Sequence, residues 1–343
     1  MAPEAKLTAG VKRREFLATS TLAALGARFA FAPAFAPAFA KASASQATAG
    51  DPIIDIHQHL GYSGRPDGVL IAHQRAIGAT QTILLPAGRD TTGPSTHGGA
   101  ANGLQVQARG NEECYQFARS QDRFLFGAND VPDLAGAARE IEQYLKRGAK
   151  VIGEQKFGVE CDSPEMQAIY RLAAEYNVPV LMHWQFKMYN YGFERFHTML
   201  EKFPRVTFVG HAQMWWANID RNHKEPSVSY PKGPVTAGGL TDRYLSDYPN
   251  MYGDLSAGSG LNALTRDEDF ARDFVRRHRD KLVFGSDCSC HEMGVASAAA
   301  PAAKDGGAKC LGSQIIAAVR RLAGDRPTER KLLYENARAI FGL

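Results

Sequence analysis

The sequence predicts a (β/α)8 barrel, in which eight parallel strands close into a ring that helices cover from outside. One observation is that short apolar runs alternate with amphipathic stretches through the whole body of the chain. Another is that most of these runs are apolar at every position, which is typical of parallel strands covered on both faces. The third is length: of 343 residues, roughly three hundred remain after a leader, which suits one barrel.

Eight short runs are predicted as strands. They are Ile53–His57, Thr82–Leu85, Phe124–Ala128, Lys150–Gln155, Pro179–His183, Val206–His211, Met251–Leu255 and Leu282–Ser286. An open, doubly wound sheet is the alternative, but such a sheet usually carries a glycine-rich phosphate loop after its first strand, and this sequence has none there.

Nine stretches are predicted as helices. They are Val69–Ile77, Val106–Arg119, Leu134–Lys146, Pro164–Tyr176, Phe193–Lys202, Thr241–Leu245, Arg266–Arg277, Gln314–Leu322 and Thr328–Ile340. Pro164 and Pro327 stand near helix starts, where proline is tolerated because the first turn needs no N–H donor. Two insertions, Gly88–Gly103 and Asn222–Gly239, follow strands. We expect them to be loops that shape a substrate site, with solvated linkers as the alternative.

Residues 1–44 have the composition of an export signal. Lys12-Arg13-Arg14 forms a twin-arginine region, an alanine-rich apolar stretch follows it, and small residues offer two cleavage sites. We therefore expect twin-arginine export, a mature protein that begins near Lys41 or Ser45, and a barrel domain over residues 51–343. The expected location is the periplasm or the medium, without stable membrane insertion after cleavage. A retained membrane anchor is the alternative.

The formal net charge of +4 comes entirely from this leader, because the rest of the chain has equal numbers of basic and acidic residues. A neutral body without a basic run argues against nucleic acid as a partner. A small-molecule substrate is the expected partner, and assembly into a homo-oligomer is left open.

Metal-ligand residue types stand where the predicted strands end. His57 and His59 close the first strand, and residues two apart on a strand face the same way. His183, His211 and Asp287 end the fifth, sixth and eighth strands. Because the strand ends of a barrel converge on one mouth, these side chains are predicted to meet and to bind a divalent cation. A lone His-x-His is a weak signal, and ordinary buried histidines are the alternative.

These residues carry a resemblance to the amidohydrolase superfamily, in particular to amidohydrolase family 2, the branch with aminocarboxymuconate-semialdehyde decarboxylase relatives. The resemblance runs from about Pro52 to Leu343. It rests on these segments: Asp55-Ile56-His57-Gln58-His59, His183, Gly210-His211, Asp254-Leu255-Ser256, Phe284-Gly285-Ser286-Asp287 and Asn336-Ala337-Arg338.

The resemblance implies the roles of the strand-end residues. His57, His59, His183 and Asp287 would bind one divalent metal, expected to be zinc. His211 would lie beside the metal and move a proton, and Asp287 would also take part in catalysis. The cation would lower the pKa of bound water from 15.7 towards ~7.

The fourth predicted strand departs from the simplest pattern, because Glu154 and Lys156 stand at its end and face the same way. Some superfamily members bridge two metals from this strand, whereas decarboxylase-like members hold one. Glu154 is therefore a candidate further ligand, although the closer branch favours one metal. Lys156 could pair with Glu154 or with a substrate carboxylate, and a salt bridge lining the mouth is the alternative.

Other side chains are weaker candidates for substrate contact. Arg65 and Arg266 could hold a carboxylate, with surface arginines as the alternative. Trp215 could stack on a planar substrate or pack in the core. His97, in the first insertion, is a further candidate.

The five cysteines leave at least one thiol without a disulfide partner. Cys288 or Cys290 could pair with Cys310, or all could stay unpaired. Cys288-Ser289-Cys290-His291-Glu292 directly follows Asp287, and a disulfide or free thiols are favoured there over a zinc knuckle.

The expected function is hydrolysis of an amide, ester or lactone in a small organic substrate by a metal-activated water. Non-oxidative decarboxylation or hydration of a carboxylated substrate is the runner-up. A periplasmic metal or ligand binding protein without activity is the alternative of another class.

Overall fold

The computed structural model describes residues 51–89, 108–290 and 310–343. The predicted barrel is confirmed, and each predicted strand overlaps one strand of the structure. The strands are β1 Ile53–Gln58, β2 Ala79–Leu84, β3 Phe124–Phe126, β4 Ile152–Gln155, β5 Val180–His183, β6 Phe208–His211, β7 Met251–Asp254 and β8 Leu282–Val283. All strand pairs are parallel, in the orders β1-β2-β3 and β4-β5-β6-β7-β8.

Two backbone contacts close these sheets into a ring. Ala128, just after β3, forms a parallel bridge with Ile152 of β4. On the other side, the backbone N–H of Ile56 in β1 donates to the carbonyl of Phe284, just after β8, at 3.2 Å. Closure brings the carboxyl ends of all eight strands to one mouth.

Twelve α-helices lie in the described residues. They are α1 Asp67–Ala76, α2 Asn111–Ser120, α3 Ala137–Leu145, α4 Pro164–Tyr176, α5 His197–Lys202, α6 Gln213–Ala217, α7 Leu240–Asp247, α8 Ala257–Thr265, α9 Glu268–Arg277, α10 Leu311–Ala323, α11 Arg326–Arg330 and α12 Asn336–Phe341. A π-helical turn, Lys331–Glu335, joins α11 to α12. Within the described ranges, no helix is both long and apolar enough to cross a membrane.

The region after β7 differs most from the prediction. The predicted helix Arg266–Arg277 begins only at Glu268, because the Asp267 side chain caps it by accepting from the Phe270 N–H at 3.1 Å. The separate helix α8 precedes it, and the glycines of its Ala-Gly-Ser-Gly start concealed it in the sequence.

The second insertion is tied to this region, which argues against a solvated linker. The Asn262 side chain donates to the carbonyl of Pro231 at 3.3 Å, and the Val235 N–H donates to Asp267 at 2.8 Å. Most of the first insertion, including His97, lies outside the described residues.

The core has two shells, separated by the strands. Branched aliphatic side chains fill the barrel interior, and Ala337 and Phe341 of α12 pack against them. These interior residues are Ile54, Ile56, Ile83, Leu85, Val151, Leu181, Val209 and Val283. A larger apolar shell lies between strands and helices. On β5 and β6, Leu181 and Val209 lie two residues before His183 and His211, so the same inward face carries both histidines to the mouth.

Candidate metal centre

Four histidines predicted at strand ends lie together at the barrel mouth. His183 and His211 are register partners on β5 and β6, with ring centroids 5.3 Å apart. The ring of His57 lies 4.5 Å from that of His211 and 5.2 Å from that of His59. All four are buried. Asp287, on the loop after β8, reaches the same place, and its side chain is 13% exposed.

Hydrogen bonds on the outer side of each imidazole select its tautomer. His57 donates through Nδ1 to Asp254 Oδ2 at 2.7 Å, and His59 donates through Nδ1 to the carbonyl of Leu85 at 2.8 Å. A nitrogen that donates carries the proton, so the Nε2 atoms of both histidines present lone pairs to the mouth.

The histidines of β5 and β6 are held in a corresponding way. Ser256 Oγ donates to Asp254 Oδ2 at 2.8 Å and accepts from His211 Nδ1 at 3.0 Å, so His211 Nε2 faces inward with a lone pair. His183 is reversed, because its Nε2 donates to Gln185 Oε1 at 3.0 Å and its Nδ1 faces the mouth. Each histidine therefore offers one ligand nitrogen.

The Glu154 carboxylate lies between the two pairs of histidines. Its Oε2 is 3.5 Å from His59 Nε2 and 3.8 Å from His57 Nε2. Its Oε1 is 2.5 Å from His183 Nδ1 and 3.6 Å from His211 Nε2. One oxygen thus faces the β1 histidines and the other faces those of β5 and β6.

Asp287 completes the cluster. Its Oδ1 lies 3.8 Å from the Nε2 atoms of both His57 and His59, and its Oδ2 lies 3.8 Å from His211 Nε2. The backbone of Asp287 has a φ of 45°, in the left-handed region. Its N–H donates to the carbonyl of His57 at 2.9 Å, which holds this turn against β1.

The cluster has unmet polar groups that a cation would satisfy. In the part of the chain that the structure describes, His57 Nε2, His211 Nε2 and Asp287 Oδ1 are buried without a hydrogen-bond partner. Three overlapping groups have ligand atoms within 4.8 Å of one another: His57/His59/Glu154, Glu154/His183/His211 and His57/His211/Asp287. Buried polar atoms without partners are costly, and imidazole and carboxylate suit divalent transition metals. The residues therefore fit a divalent cation.

The electrostatics favour a neutral His211 and an ionised Glu154, as ligands require, and favour a positive charge at His57. Burial and the neighbouring His57 lower the pKa of His211 to about 4. Burial raises the pKa of Glu154, but the charges of Lys156 and His183 outweigh it and hold this pKa well below the usual range. Burial lowers the pKa of His57, yet Asp287 and Asp254 raise it well above its usual range. A positive charge is thus stabilised between the carboxylates.

Three supporting residues had no assigned role in the sequence. Asp254 and Ser256, at the end of β7, orient His57 and His211 from behind. Their signal was the same as for the ligands, a polar residue where an apolar strand ends. Tyr62 follows β1 in a short turn, and the charge of Asp287, burial and the charge of Glu154 raise its pKa. Its ring centroid lies 5.0 Å from that of His59, and no sequence pattern marked it.

Lys156 remains at the mouth as a candidate substrate contact. Its Nζ lies 5.7 Å from the centroid of the Tyr189 ring, and its charge acts on both Glu154 and His183. No salt bridge of Lys156 is found within the described ranges, so the alternative of a salt bridge with Glu154 is not formed there.

Arg65 is buried and hydrogen-bonded within the protein, so it is not exposed to a substrate. It is 1% exposed, and its guanidinium donates to the carbonyl of Cys288 at 2.6 Å and to Gln58 Oε1 at 2.5 Å. It therefore joins β1 to the loop after β8 and is not placed to clamp a substrate carboxylate.

Trp215 and Arg266 are not brought to the cluster by any described contact. Trp215 is buried against Gly210, where an added Cβ would lie 2.5 Å from the indole ring, so core packing explains it. Arg266 follows α8, and the charged groups acting on it are Asp220 and Asp267. Its guanidinium nitrogens are buried without hydrogen-bond partners among the described residues.

A cleft of about 430 Å³ lies beside the cluster. It begins at Gln185, whose side chain accepts from His183, and includes Phe186, Lys187, Tyr191 and Met214 in its lining. Aromatic and apolar walls suit a flat organic molecule, and the lining carries one residue of each charge, Lys187 and Glu194.

The sequence profile of the family described as Amidohydrolase matches residues 54–343, and so covers the whole barrel. The chain belongs to the amidohydrolase family. Members of this family bind divalent metals, in agreement with the ligand groups at the barrel mouth. A search of curated protein sequences found no match for this amidohydrolase.

Solved structures with similar folds include proteins of different reactions. A probable 2-pyrone-4,6-dicarboxylic acid hydrolase from Acinetobacter baumannii is 14% identical, with a TM-score of 0.52 over 85% of this chain and 99% of that one. A TatD homologue from Escherichia coli K12 is 14% identical, with a TM-score of 0.51 over 85% and 98%. A 2,6-dihydroxybenzoate decarboxylase is 13% identical, with a TM-score of 0.51 over 86% and 100%. At these identities the likeness shows the shared barrel fold.

Proposed function

We propose that this amidohydrolase is a hydrolase that uses two divalent cations, bridged by Glu154, to cleave an amide, ester or lactone in a small carboxylated substrate. The observation that carries the proposal is the position of the Glu154 carboxylate, with one oxygen towards each pair of histidines. This placement favours two cations, which is the alternative to the single cation that the resemblance implies.

One cation would be held by His57, His59 and Asp287, and the other by His183 and His211, with Glu154 shared between them. Zinc is the proposed metal, since imidazole and carboxylate are common zinc ligands. When bound, the cations supply Lewis-acid polarisation of the scissile carbonyl and lower the pKa of water towards ~7.

Asp287 is the residue that we assign to proton transfer. Its carboxylate is the most exposed of the cluster, at 13%, so a water molecule can approach it from the mouth. His211 is less suited to this role than the sequence indicated. Its Nδ1 proton is held by Ser256, and a pKa lowered to about 4 keeps the imidazole neutral near pH 7, so it could accept a proton only at Nε2, the atom assigned here to a cation.

The substrate class follows from the charges and walls around the cluster. Lys156, whose charge acts on Glu154, can attract and orient a carboxylate, while Phe186, Tyr191 and Met214 of the cleft can cover a planar ring. A carboxylated lactone combines these features, and the similar structure from Acinetobacter baumannii is described as a hydrolase of a pyrone dicarboxylic acid.

Decarboxylation is the second candidate, and Lys156 is the observation that favours it, because a lysine beside the cluster can hold a substrate carboxylate against the reacting atoms. The arginine clamp that would strengthen this candidate is not formed by Arg65, which is engaged with main-chain and glutamine oxygens.

Metal analysis combined with turnover screening tests the proposal. The purified protein should contain two barrel cations per chain, and Glu154→Gln should lose at least one of them together with more than about 100-fold of the activity. Glu165→Gln, an exposed position on α4, is the matched control and should lose neither. The screen should offer lactones, amides and aromatic acids, with detection of both ring opening and carbon dioxide release.

Each outcome of this screen selects one function. Ring opening with two cations supports the proposal. A single barrel cation with carbon dioxide release overturns it in favour of a decarboxylase. Ligand binding without turnover of any substrate class would identify a binding protein.

Export through the twin-arginine route and a periplasmic location are part of the proposal, supported by the Lys12-Arg13-Arg14 leader. N-terminal sequencing of the protein from the periplasmic fraction should begin near Lys41 or Ser45. An intact Met1 or Ala2 would contradict export with cleavage.

A further inference from the structure

Three cysteines and one histidine lie together beside the barrel. Because His73 and Cys310 are 237 residues apart in the sequence, no short sequence motif contains all four. Cys288 and Cys290 stand on the loop after β8, Cys310 precedes α10, and His73 lies on α1. All five cysteines of the chain are free thiols in the structure, and Cys114 and Cys161 lie elsewhere. We propose that His73, Cys288, Cys290 and Cys310 form a zinc site, separate from the cations at the barrel mouth.

The distances within this cluster bring four ligand atoms into one small volume. Cys288 Sγ lies 2.7 Å from Cys290 Sγ and 3.8 Å from Cys310 Sγ. His73 Nε2 lies 3.2 Å from Cys310 Sγ. All four ligand atoms lie within 4.8 Å of one another. Tetrahedral zinc with Zn–S bonds of ~2.3 Å separates its sulfur ligands by about 3.8 Å. The Cys288–Cys310 pair already has this separation, whereas the Cys288–Cys290 pair would have to open by about 1.1 Å on binding.

The ligand set indicates the metal and the kind of site. Thiolates are soft ligands that favour zinc over magnesium or calcium, and a Cys3His set fills all four positions of tetrahedral zinc. No position is left for water or substrate, so the site is structural. His73, Cys288 and Cys310 are buried, and Cys290 is partly exposed, which gives the ion a path of entry.

The three thiolates should supply most of the affinity. Coordination through His73 Nε2 requires a proton on Nδ1, and Nδ1 lies 3.4 Å from the amide nitrogen of Gln74. That amide nitrogen already donates to Asp55 Oδ2 at 3.1 Å, so its contact with His73 is the weaker one. A protonated Nδ1 would meet this donor without gaining a hydrogen bond, which makes the histidine the weakest of the four ligands.

A metal here would fix the loop that carries Asp287. Cys288 is the next residue, and its carbonyl accepts from Arg65 at 2.6 Å and from Gln58 Nε2 at 3.2 Å. Zinc would add a tie from the same loop to α1 and to the start of α10. The site would thus hold a turn with left-handed backbone at Asp287 by bonds stronger than hydrogen bonds.

Cobalt substitution of the full chain tests this site apart from the barrel cations. Thiolate ligands give Co²⁺ an intense near-ultraviolet charge-transfer absorption that histidine and carboxylate ligands do not give. The absorption should appear when one equivalent binds at this site, and zinc should displace it. Three thiols should be protected from a thiol reagent in the zinc-loaded protein and become reactive after a chelator and mild unfolding.

Cys310→Ser should abolish the absorption and weaken zinc binding at this site by more than about 100-fold, beyond the 10–100-fold cost of losing an outer contact. Cys114→Ser, the same change at a buried thiol outside the cluster, should leave both unchanged. A disulfide between any two of Cys288, Cys290 and Cys310 in protein purified without reductant would overturn the proposal. So would a thiolate absorption that persists in Cys310→Ser, or its absence from the unmutated protein.

Discussion

At the scale of single residues, Asp254 has a large effect because it holds two histidines at once. Its Oδ2 accepts from His57 Nδ1 at 2.7 Å and lies 3.3 Å from His211 Nδ1. Burial raises the pKa of Asp254, but the charge of His57 and the hydrogen bonds from His57 and Ser256 lower it further than burial raises it, so the carboxylate stays ionised. The histidines therefore depend on a side chain that touches no substrate.

Asp254→Asn should lower the affinity of the barrel cations by about 10–100-fold, the usual effect of losing an outer contact to a metal ligand. Asparagine lacks the negative charge, and with its oxygen towards His57 it turns a nitrogen donor towards the Ser256 N–H, which Asp254 Oδ1 accepts at 3.0 Å. Competition with a chromophoric chelator measures the change. Asp269→Asn, at an exposed position on α9, is the control. Unchanged affinity in Asp254→Asn would show that the two imidazoles orient without it.

His211→Ala separates a ligand from a proton carrier. If His211 Nε2 binds the second cation, the alanine variant should retain about one barrel cation per chain and lose the other. Elemental analysis against His197→Ala, a half-buried histidine on α5, gives the comparison. Full metal content with activity lower by about 10²–10⁴-fold would instead make His211 a proton-transfer residue.

At the scale of secondary structure elements, Asp242 joins α7 to α9. It accepts from Arg277 Nη1 and from His278 Nε2, both at 2.6 Å, and from the Gly238 N–H at 2.8 Å. Burial raises the pKa of Asp242, but these hydrogen bonds lower it far below its usual range. Because the folded pKa is depressed, ionised Asp242 stabilises the fold above its unfolded pKa, and this contribution is lost as pH falls towards the folded pKa.

Asp242→Asn should therefore lower the free energy of unfolding by about 1–3 kcal/mol at pH 7. The difference from the unmutated protein should shrink below about pH 4, where the unfolded aspartate becomes protonated. Urea unfolding at pH 7, 5 and 3.5 measures it, with the exposed Asp247→Asn of the same helix as control. A difference that stays constant with pH would rule out this electrostatic origin.

At the scale of the whole molecule, the proposed barrel ligands come from five strands or strand ends, those of β1, β4, β5, β6 and β8. A cation held by so many strands binds the folded chain and hardly binds the unfolded one. Metal binding and stability are then linked, and free metal at about 100 times its dissociation constant adds ~2.7 kcal/mol per site.

Removal of the metals with a chelator should lower the thermal midpoint by several degrees, since ~1 kcal/mol corresponds to about 2–4 °C in a chain of this class. Added zinc should restore it. Glu154→Gln should show a smaller response to added zinc, because it lacks the shared ligand. If saturating zinc does not change the thermal midpoint of the unmutated protein, metal binding and stability are not linked.

The sequence predicted the ring and the meeting of His57, His59, His183, His211 and Asp287 because both follow from where apolar strands end. It could not predict which nitrogen of each imidazole faces inward. That depends on Gln185, Leu85, Asp254 and Ser256, whose contacts are made across the fold.

Arg65 and Trp215 were predicted as substrate contacts, but the sequence could not show that both are buried. Burial decides whether such a side chain is free for a substrate, and burial depends on the neighbours that the fold brings to it. Likewise, the glycine-containing helix α8 is stabilised by packing that local sequence preference does not reveal.

The contacts between β1 and the residues just after β8 determine when the ring can close during synthesis. Asp55 accepts from Ser286 N at 2.9 Å and from Ser286 Oγ at 2.5 Å, across 231 residues of chain. A ribosome adds roughly 5–20 residues each second, so β8 is synthesised many seconds after β1. A nascent chain that ends before Ser286 has neither the closed ring nor Asp287. Binding of cations by the full ligand set should therefore follow the synthesis of Asp287, and products truncated before it should hold their cations more weakly.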